Sequence, residues 1–183
     1  MSQTQSVQPP FGQPVKLAGY DPDYTGDSNK DQAEDAFDAH RERLAELQEV
    51  LYAEGKHALL VVFQAMDAGG KDSTIRHVFR GVNPQGIFVK SFKTPTAEEL
   101  AHDFLWRVHP HTPGRGQIAI FNRSHYEDVL IGRINELVSR EVWQARYDHI
   151  NAFERLLADR ASRSASFSCT SRRVNRKNAF RIA

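Results

Sequence analysis

The chain has 183 residues, enough for one domain with a sizeable core, and its formal net charge is +1. A single cysteine excludes an intrachain disulfide framework, no apolar run approaches the length of a membrane span, and the polar N-terminus lacks the pattern of a secretory signal. The composition therefore predicts a cytoplasmic protein without a membrane partner.

The charge is unevenly distributed along the chain. Seven Lys or Arg and no Asp or Glu lie within residues 160–183, so the rest of the chain is net acidic. An acidic body does not indicate general nucleic-acid binding, and any polyanion must be met by a local basic patch. We therefore expect no nucleic-acid partner.

The predicted elements alternate between helices and strands after a polar leader with three prolines at residues 1–14, which we expect to be flexible. Apolar residues at helical spacing predict an amphipathic helix over 31–52, capped by Ser28 or Asp31. The later elements are strands at 57–64, 88–92 and 117–121 and helices at 70–82, 96–109, 124–138 and 139–158. In the helix at 96–109, Thr96 is the predicted N-cap and Glu99 stands at the capping-box position. This order predicts an α/β fold with a parallel sheet.

A glycine turn follows the first predicted strand and has the features of a phosphate-binding loop. The run from Gln64 to Thr74 reads Gln-Ala-Met-Asp-Ala-Gly-Gly-Lys-Asp-Ser-Thr. Backbone N–H groups of such a turn point inward, the following helix adds partial positive charge, and a lysine can reach the outer phosphates. The match to the P-loop (Walker A) pattern is imperfect, because Ala65 and Asp72 occupy its first and last positions. The predicted phosphate-binding residues are Ala68, Gly69, Gly70, Lys71, Asp72 and Ser73. A simple tight turn is the alternative.

A second polar cluster follows the strand at 117–121, and it consists of Asn122, Arg123, Ser124, Glu127 and Asp128. Ligands of open parallel sheets bind where strands end, so this cluster lies beside the glycine turn if the two strands are neighbours. Carboxylates there can hold Mg²⁺, and an arginine can bind phosphate oxygens. The same residues match a helix start, with Ser124 as N-cap and Glu127 completing a capping box. We expect both interpretations to hold.

Together these motifs resemble the polyphosphate kinase 2 family. The resemblance rests on a variant P-loop with Asp67 inside it and on residues 121–128, which read Phe-Asn-Arg-Ser-His-Tyr-Glu-Asp. Segments at 51–56, 81–86, 91–95 and 98–107 resemble the family too, so that the likeness runs over about residues 15–159. It implies a three-layer P-loop kinase-like core with a helical lid. It also implies an enzyme that moves a phosphoryl group between inorganic polyphosphate and a nucleoside mono- or diphosphate with Mg²⁺, and it allows a homo-oligomer.

The resemblance implies a role for each matching residue. The catalytic residues would be Asp67, Lys71, Arg123 and Arg133, and the metal ligands would be Asp67, Asp128 and, as the weaker choice, Glu127. Asp67 would hold Mg²⁺ or orient the accepting phosphate, and Lys71 would bridge the transferred group. The two arginines would neutralise charge on its oxygens.

Other interpretations of the residues stay open. Arg76, Arg80 and Lys93 are candidates for a polyphosphate path, and a solvated surface is the alternative. An ATP-dependent P-loop nucleotide kinase is a rival function, although the displaced Ser and Thr after Lys71 argue against it. A third function is a non-catalytic remnant that binds phosphate chains.

The resemblance stops near residue 160. No strand or helix periodicity is found in residues 160–183, so we predict a disordered, aberrant basic tail there. Codons can be chosen for residues 167–183 that encode, in another frame, an apolar strand and a charged helix similar to those of the family. We therefore expect a frameshift near residue 160 and the loss of the last core strand and the lid. Because a closing lid excludes water from phosphoryl transfer, weak or absent activity would follow. A functional basic tail is the alternative.

Overall fold

The computed structural model describes residues 29–65, 69–134, 138–160 and 162–169. The predicted flexible leader at 1–14 lies outside these ranges, as do residues 170–183 of the predicted tail. In the described ranges no helix combines the length and the apolar character needed to cross a bilayer.

Helices and strands alternate along the described chain. In chain order they are α1 (Lys30–Glu54), β1 (Ala58–Ala65), α2 (Lys71–Val78), β2 (Ile87–Ser91), α3 (Ala97–Leu100), β3 (Ile118–Asn122), α4 (Glu127–Ile134), α5 (Arg140–Asp159) and β4 (Ser162–Cys169). The bounds of β1, β2 and β3 each lie within one residue of the predicted strand.

The strands form one parallel sheet in the order β2-β3-β1-β4. β1 and β3 are neighbours, as the predicted proximity of the two polar clusters requires, and Val62 pairs with Phe121 in their register. Every residue of β3 is buried. Continuous apolar runs of this kind are typical of strands that are covered on both faces.

The two faces of β1 pack into two separate core clusters. Leu60 and Val62 belong to one cluster, which includes Phe153 of α5. Val61 and Phe63 belong to the other, which includes Ile75 of α2. Because alternate side chains of a strand point to opposite faces, helices cover the sheet on both sides. The three-layer α/β core is therefore confirmed.

Two helices begin or end at residues other than the predicted ones, because nearby side chains bind the backbone there. The N-cap of α1 is neither Ser28 nor Asp31 but Asn29, whose side chain accepts a hydrogen bond from the Gln32 backbone N–H at 2.9 Å in a capping box.

The capping box of α3 at Thr96 and Glu99 is confirmed, but the helix predicted over 96–109 ends at Leu100. The Asp103 carboxylate accepts hydrogen bonds from the backbone N–H groups of Leu105 and Trp106 at 2.9 and 3.1 Å. These bonds compete with helical hydrogen bonding, so the chain continues in turns.

The predicted absence of secondary structure after residue 160 is wrong for residues 162–169. Strand β4 pairs with β1 in parallel over its whole length, from Ala58 opposite Ser162 to Ala65 opposite Cys169. Backbone groups along an open strand edge need partners whatever side chains the partner carries, which is why a polar segment can fill this place. Phe167 adds a stacked contact with Phe63, with ring centroids 5.3 Å apart. The position of a fourth core strand is thus occupied, and the frameshift stays a prediction about the gene.

Gly86, just before β2, provides a test of how α1 packs on the sheet. A Cβ atom at Gly86 would overlap the side-chain amide of Gln48, which is only 1% exposed, and would lie 3.0 Å from Tyr52 Cδ2. We predict that Gly86→Ala lowers the free energy of unfolding by about 1–3 kcal/mol through overpacking, as measured by urea denaturation. In a Gln48→Ala background the same substitution should cost much less. An equal cost in both backgrounds would contradict this packing.

Candidate functional site

The glycine turn lies where β1 ends. Gly70 is the N-cap of α2 and has φ 87°, a left-handed conformation that favours glycine. Lys71 is the first residue of the helix that follows. Asp67 and Ala68, both predicted site residues, lie outside the described residues, whereas Gly69 and Gly70 lie within them.

Lys71 is joined to the end of β3 through one carboxylate. Its Nζ lies 3.6 Å from Asp72 Oδ2, and Asn122 Nδ2 donates to Asp72 Oδ1 at 2.5 Å. The hydrogen bond from the Asn122 amide lowers the pKa of Asp72 below its ordinary value, and the nearby Lys71 ammonium lowers it further. Lys71 is only 7% exposed. Because an ammonium group carries three donors, this buried cation can bind anionic oxygens in addition to Asp72.

The hydroxyl groups after Lys71 have local acceptors. Ser73 Oγ and Thr74 Oγ1 donate to the Gly70 carbonyl oxygen at 2.7 and 3.0 Å. The hydroxyl of Ser73, a predicted phosphate-binding residue, therefore donates to the turn itself.

Arg123 begins the second cluster with a bend in the backbone. Its φ of 64° is left-handed, and it is the one non-glycine residue with positive φ in the described ranges. The Arg123 backbone N–H donates to the Phe63 carbonyl oxygen at 3.0 Å, which ties the bend to β1. Backbone strain of this kind persists only where the surrounding structure holds it, and it is common at functional sites.

Glu127 and Ser124 do not form the predicted capping box. Ser124 Oγ instead accepts a hydrogen bond from the Tyr126 backbone N–H at 3.2 Å, and α4 begins only at Glu127. The Glu127 carboxylate accepts from Gln64 Nε2 at 3.0 Å and lies 3.8 Å from Arg123 Nη1. These two partners, Gln64 near the end of β1 and Arg123 just after β3, therefore draw the Glu127 side chain away from the helix start.

A cavity of about 600 Å³ lies between the chain after β2 and helix α4. Among the predicted site residues, its lining includes Lys93, Arg123, Glu127 and Asp128. Burial raises the pKa of Asp128 above its ordinary value, and the Arg146 guanidinium opposes that shift. The cavity thus combines cationic groups with two carboxyl side chains.

Arg107 also lines this cavity and was missed by sequence reasoning. Its Nη2 donates to the Lys93 carbonyl oxygen at 2.8 Å, and its Nε lies 3.3 Å from Glu99 Oε1. The guanidinium also stands 5.4 Å from the centre of the Phe92 ring. Arg107 therefore fixes the chain on one side of the cavity. The one sequence signal was its place at the end of the family-like segment 98–107.

The predicted phosphate-binding residues from Gly69 to Ser73, Lys71 among them, do not line this cavity, and neither do Arg76, Arg80 and Arg133. Arg133 is exposed, and its guanidinium lies 5.1 Å from the centre of the Trp143 ring. Arg76 and Arg80 are exposed on α2 and just after it.

The acidic residues fit the chemistry of a magnesium ion bound together with phosphates. No group of three or more His, Cys, Asp or Glu that could hold a metal occurs among the described residues, which exclude Asp67. Glu127 and Asp128 offer hard oxygen donors at the cavity wall. Mg²⁺ usually takes one or two carboxylates and completes its shell with phosphate oxygens and water. The donor set thus suits this ion without a full protein cage.

Comparisons with known proteins agree on one family. The family model for Polyphosphate kinase 2 (PPK2) matches residues 27–178. The chain is 55% identical over 154 residues to the AMP/ADP-polyphosphate phosphotransferase of Meiothermus ruber, a match that covers 83% of this chain and 58% of that protein. It is 48% identical over 138 residues to the ADP-polyphosphate phosphotransferase of Rhodopseudomonas palustris, which covers 69% and 48% of the two chains.

A solved structure gives the same result. The crystal structure of Polyphosphate Kinase 2 from Arthrobacter aurescens matches with a TM-score of 0.89 at 37% identity, over 93% of this chain and 62% of that chain. The present chain therefore spans about half the length of the curated relatives it matches.

The link between Asp72 and Asn122 predicts a pH effect. Because the pKa of Asp72 in the folded state lies below its ordinary value of 3.8, the stabilisation from the charged form is present above that pH and is lost as the pH falls through the lowered pKa. We predict that Asn122→Ala raises the pKa of Asp72, as measured by NMR titration of its carboxyl carbon. The effect on stability should be small, since the side chain is 68% exposed.

Gln117 provides the control for this titration, because it lies just before the opposite end of β3. Gln117→Ala should leave the pKa of Asp72 unchanged. An unchanged pKa in Asn122→Ala would contradict the assigned hydrogen bond.

Proposed function

We propose, from the premise that the chain belongs to the polyphosphate kinase 2 family, that it transfers a phosphoryl group between inorganic polyphosphate and a nucleoside mono- or diphosphate. One observation carries the proposal. Lys71 and the segment from Asn122 to Asp128 meet at the same edge of the sheet and are linked there through Asp72. The buried ammonium of Lys71, together with the arginine and the two carboxylates that line the cavity, suits a phosphate chain and its cation.

The reaction needs position and charge neutralisation more than covalent help. A terminal phosphate oxygen of the nucleotide forms a bond to the last phosphorus of polyphosphate, while the bond from that phosphorus to the bridging oxygen breaks. The bridging oxygen leaves with the electron pair, on a polyphosphate one unit shorter. Because the accepting phosphate is already an anion, no strong general base is required.

Lys71 and Arg123 are proposed to bind the oxygens of the transferred group. Lys71 is suited to this because it is buried at a helix start, where its charge is poorly screened and the helix N-terminus adds partial positive charge. Arg123 is suited because its bend is anchored to β1 and the residue lines the cavity. Arg133 would have to leave the Trp143 ring to contribute.

Asp128 and Glu127, together with Asp67, are proposed to hold Mg²⁺. Glu127 is oriented by Gln64 at 3.0 Å, and Asp128 lines the same cavity wall. When bound, Mg²⁺ supplies neutralisation of charge on phosphate oxygens. In this proposal the protein presents the carboxylates of Glu127 and Asp128 at the start of α4, in the segment that follows β3.

Polyphosphate is proposed to approach over Arg76, Arg80 and Lys93, which are exposed. We also propose a cytoplasmic location, where nucleotides and polyphosphate are available. The rival ATP-dependent kinase is disfavoured by the Ser73 and Thr74 hydroxyls, because both donate to Gly70 rather than standing at the position of the usual P-loop Ser or Thr.

The test is turnover by the purified 183-residue chain with polyphosphate, Mg²⁺ and AMP, ADP or GDP in turn. We expect phosphorylated nucleotide to form and chelation of Mg²⁺ to stop its formation. Activity with ATP and a nucleoside monophosphate, but not with polyphosphate, would support the rival kinase. Binding of polyphosphate without turnover would support the non-catalytic remnant.

Lys71→Ala should lower the turnover rate by about 100-fold or more, because it removes the buried charge proposed to bind the transferred group. Lys56→Ala is the matched control, since Lys56 is exposed in the turn between α1 and β1 and should tolerate the change. Circular dichroism checks that both variants fold. Equal rates for the folded Lys71→Ala variant and the unsubstituted chain would overturn the role of Lys71.

A further inference from the structure

Two side chains of the Arg123–Asp128 segment converge on α5 and do not line the cavity. His125 is 0% exposed, and its Nε2 lies 3.3 Å from Glu154 Oε1. The half-buried Tyr126 donates its hydroxyl to the same Glu154 oxygen. Their neighbours Ser124, Glu127 and Asp128 all line the cavity. The Glu154 carboxylate on α5 therefore binds the two residues of this segment that face away from the cavity, while the other residues of the segment line it.

The chemistry of these groups makes Glu154 the acceptor. His125 Nδ1 is buried and has no hydrogen-bond partner in the described part of the chain, so placing the proton on Nε2 avoids an unsatisfied buried donor. Burial raises the pKa of Tyr126, which keeps its hydroxyl proton available. The His125 hydrogen bond lowers the pKa of Glu154, which favours the carboxylate. Removing this carboxylate would leave two donors without their acceptor.

The segment needs such support because it starts from a strained bend. The left-handed Arg123 is tied to β1 on one side. At the other end of the segment, Arg146 Nη1 of α5 donates to the Asp128 carbonyl oxygen at 2.7 Å. The two residues that Glu154 binds, His125 and Tyr126, lie between these two attachment points. A strained backbone bend persists only where several surrounding contacts hold it.

We propose that Glu154 is a positioning residue. By accepting hydrogen bonds from His125 and Tyr126, it fixes the backbone of residues 124–128 so that Glu127 and Asp128 face the cavity. The proposal rests on the proposed function, because it takes that segment to be the part that acts on phosphate. Glu154 does not line the cavity, so its effect passes through the segment.

The first test compares the kinetics of Glu154→Gln with those of Asp148→Asn. Glutamine keeps one acceptor oxygen, but both hydrogen bonds lose the charge that strengthens them, and the new amide group adds donors at the same place. Asp148 is an exposed acid on the same helix. For Glu154→Gln we expect kcat to fall about 10- to 100-fold with KM for the nucleotide changed less than about 3-fold, since misplaced groups slow the chemical step more than binding. Asp148→Asn should match the unsubstituted chain. An unchanged kcat in folded Glu154→Gln overturns the proposal.

The second test needs no turnover, so it separates failure of this inference from failure of the proposed function. Amide hydrogen exchange is measured on the unsubstituted chain and on Glu154→Gln without substrates. We expect exchange at residues 124–128 to become at least about 10-fold faster, while exchange in β1 and β3 stays within about 2-fold. Unchanged exchange at 124–128, or an equal rise in the strands, overturns the proposal. A chain without turnover that still shows the local rise contradicts only the proposed function.

Tyr126→Phe is the second variant, for use if Glu154→Gln does not fold. It removes one of the two donors and leaves the His125 contact with Glu154 in place. We expect a smaller rise in exchange over the same residues, again without a change in β1 and β3. No local rise in a folded Tyr126→Phe variant overturns the proposal.

Discussion

The parallel pairing of β1 with β3 decides where the chemistry-bearing residues of this chain lie. Phe63 pairs with Asn122, so the carboxyl ends of both strands lie side by side at the same end of the sheet. Main-chain hydrogen bonds continue past the strands, because the Arg123 N–H donates to the Phe63 carbonyl and the Phe92 N–H donates to the Asn122 carbonyl, at 3.0 and 3.1 Å. Backbone pairing therefore brings the glycine turn close to the cluster of acidic and basic residues after β3. Side-chain contacts then set the detailed geometry.

The contacts at this end of the sheet also explain how Lys71 can be buried. Burying an ammonium is costly unless it is paired, and Lys71 is 7% exposed with Asp72 at 3.6 Å. The Asn122 amide holds the pKa of Asp72 below its ordinary value, so the compensating charge beside Lys71 is tied to the end of β3. Since Asp72 remains largely exposed, the compensation is partial. A bound phosphate chain would add the missing negative charge at a cation that is already in position.

Sequence reasoning succeeded where one local signal dominated and failed where two competed. The apolar runs of β1 and β3 and the capping box at Thr96 have no strong local rival, and all were predicted correctly. The helix over 96–109 was cut short because Asp103 offers its own hydrogen bonds to the backbone. The capping box at Glu127 failed because Gln64, distant in sequence, binds the same carboxylate. Strand β4 was missed because pairing along the edge of β1 depends on backbone groups, which leave no side-chain pattern.

Charged residues outside the strands were the least predictable part of the candidate site. Arg107 and Glu154 resemble ordinary surface charges in the sequence, and only tertiary packing gives them buried partners. Phe153 shows how this arises on α5: it belongs to the same core cluster as Leu60, and its ring meets the His125 ring edge-on with centroids 5.4 Å apart. The apolar contact that docks α5 on the sheet therefore also sets Glu154, the next residue, beside the segment that it binds. Core packing and site geometry are thus coupled through adjacent residues of one helix, so a substitution in this core is expected to act on the site as well as on stability.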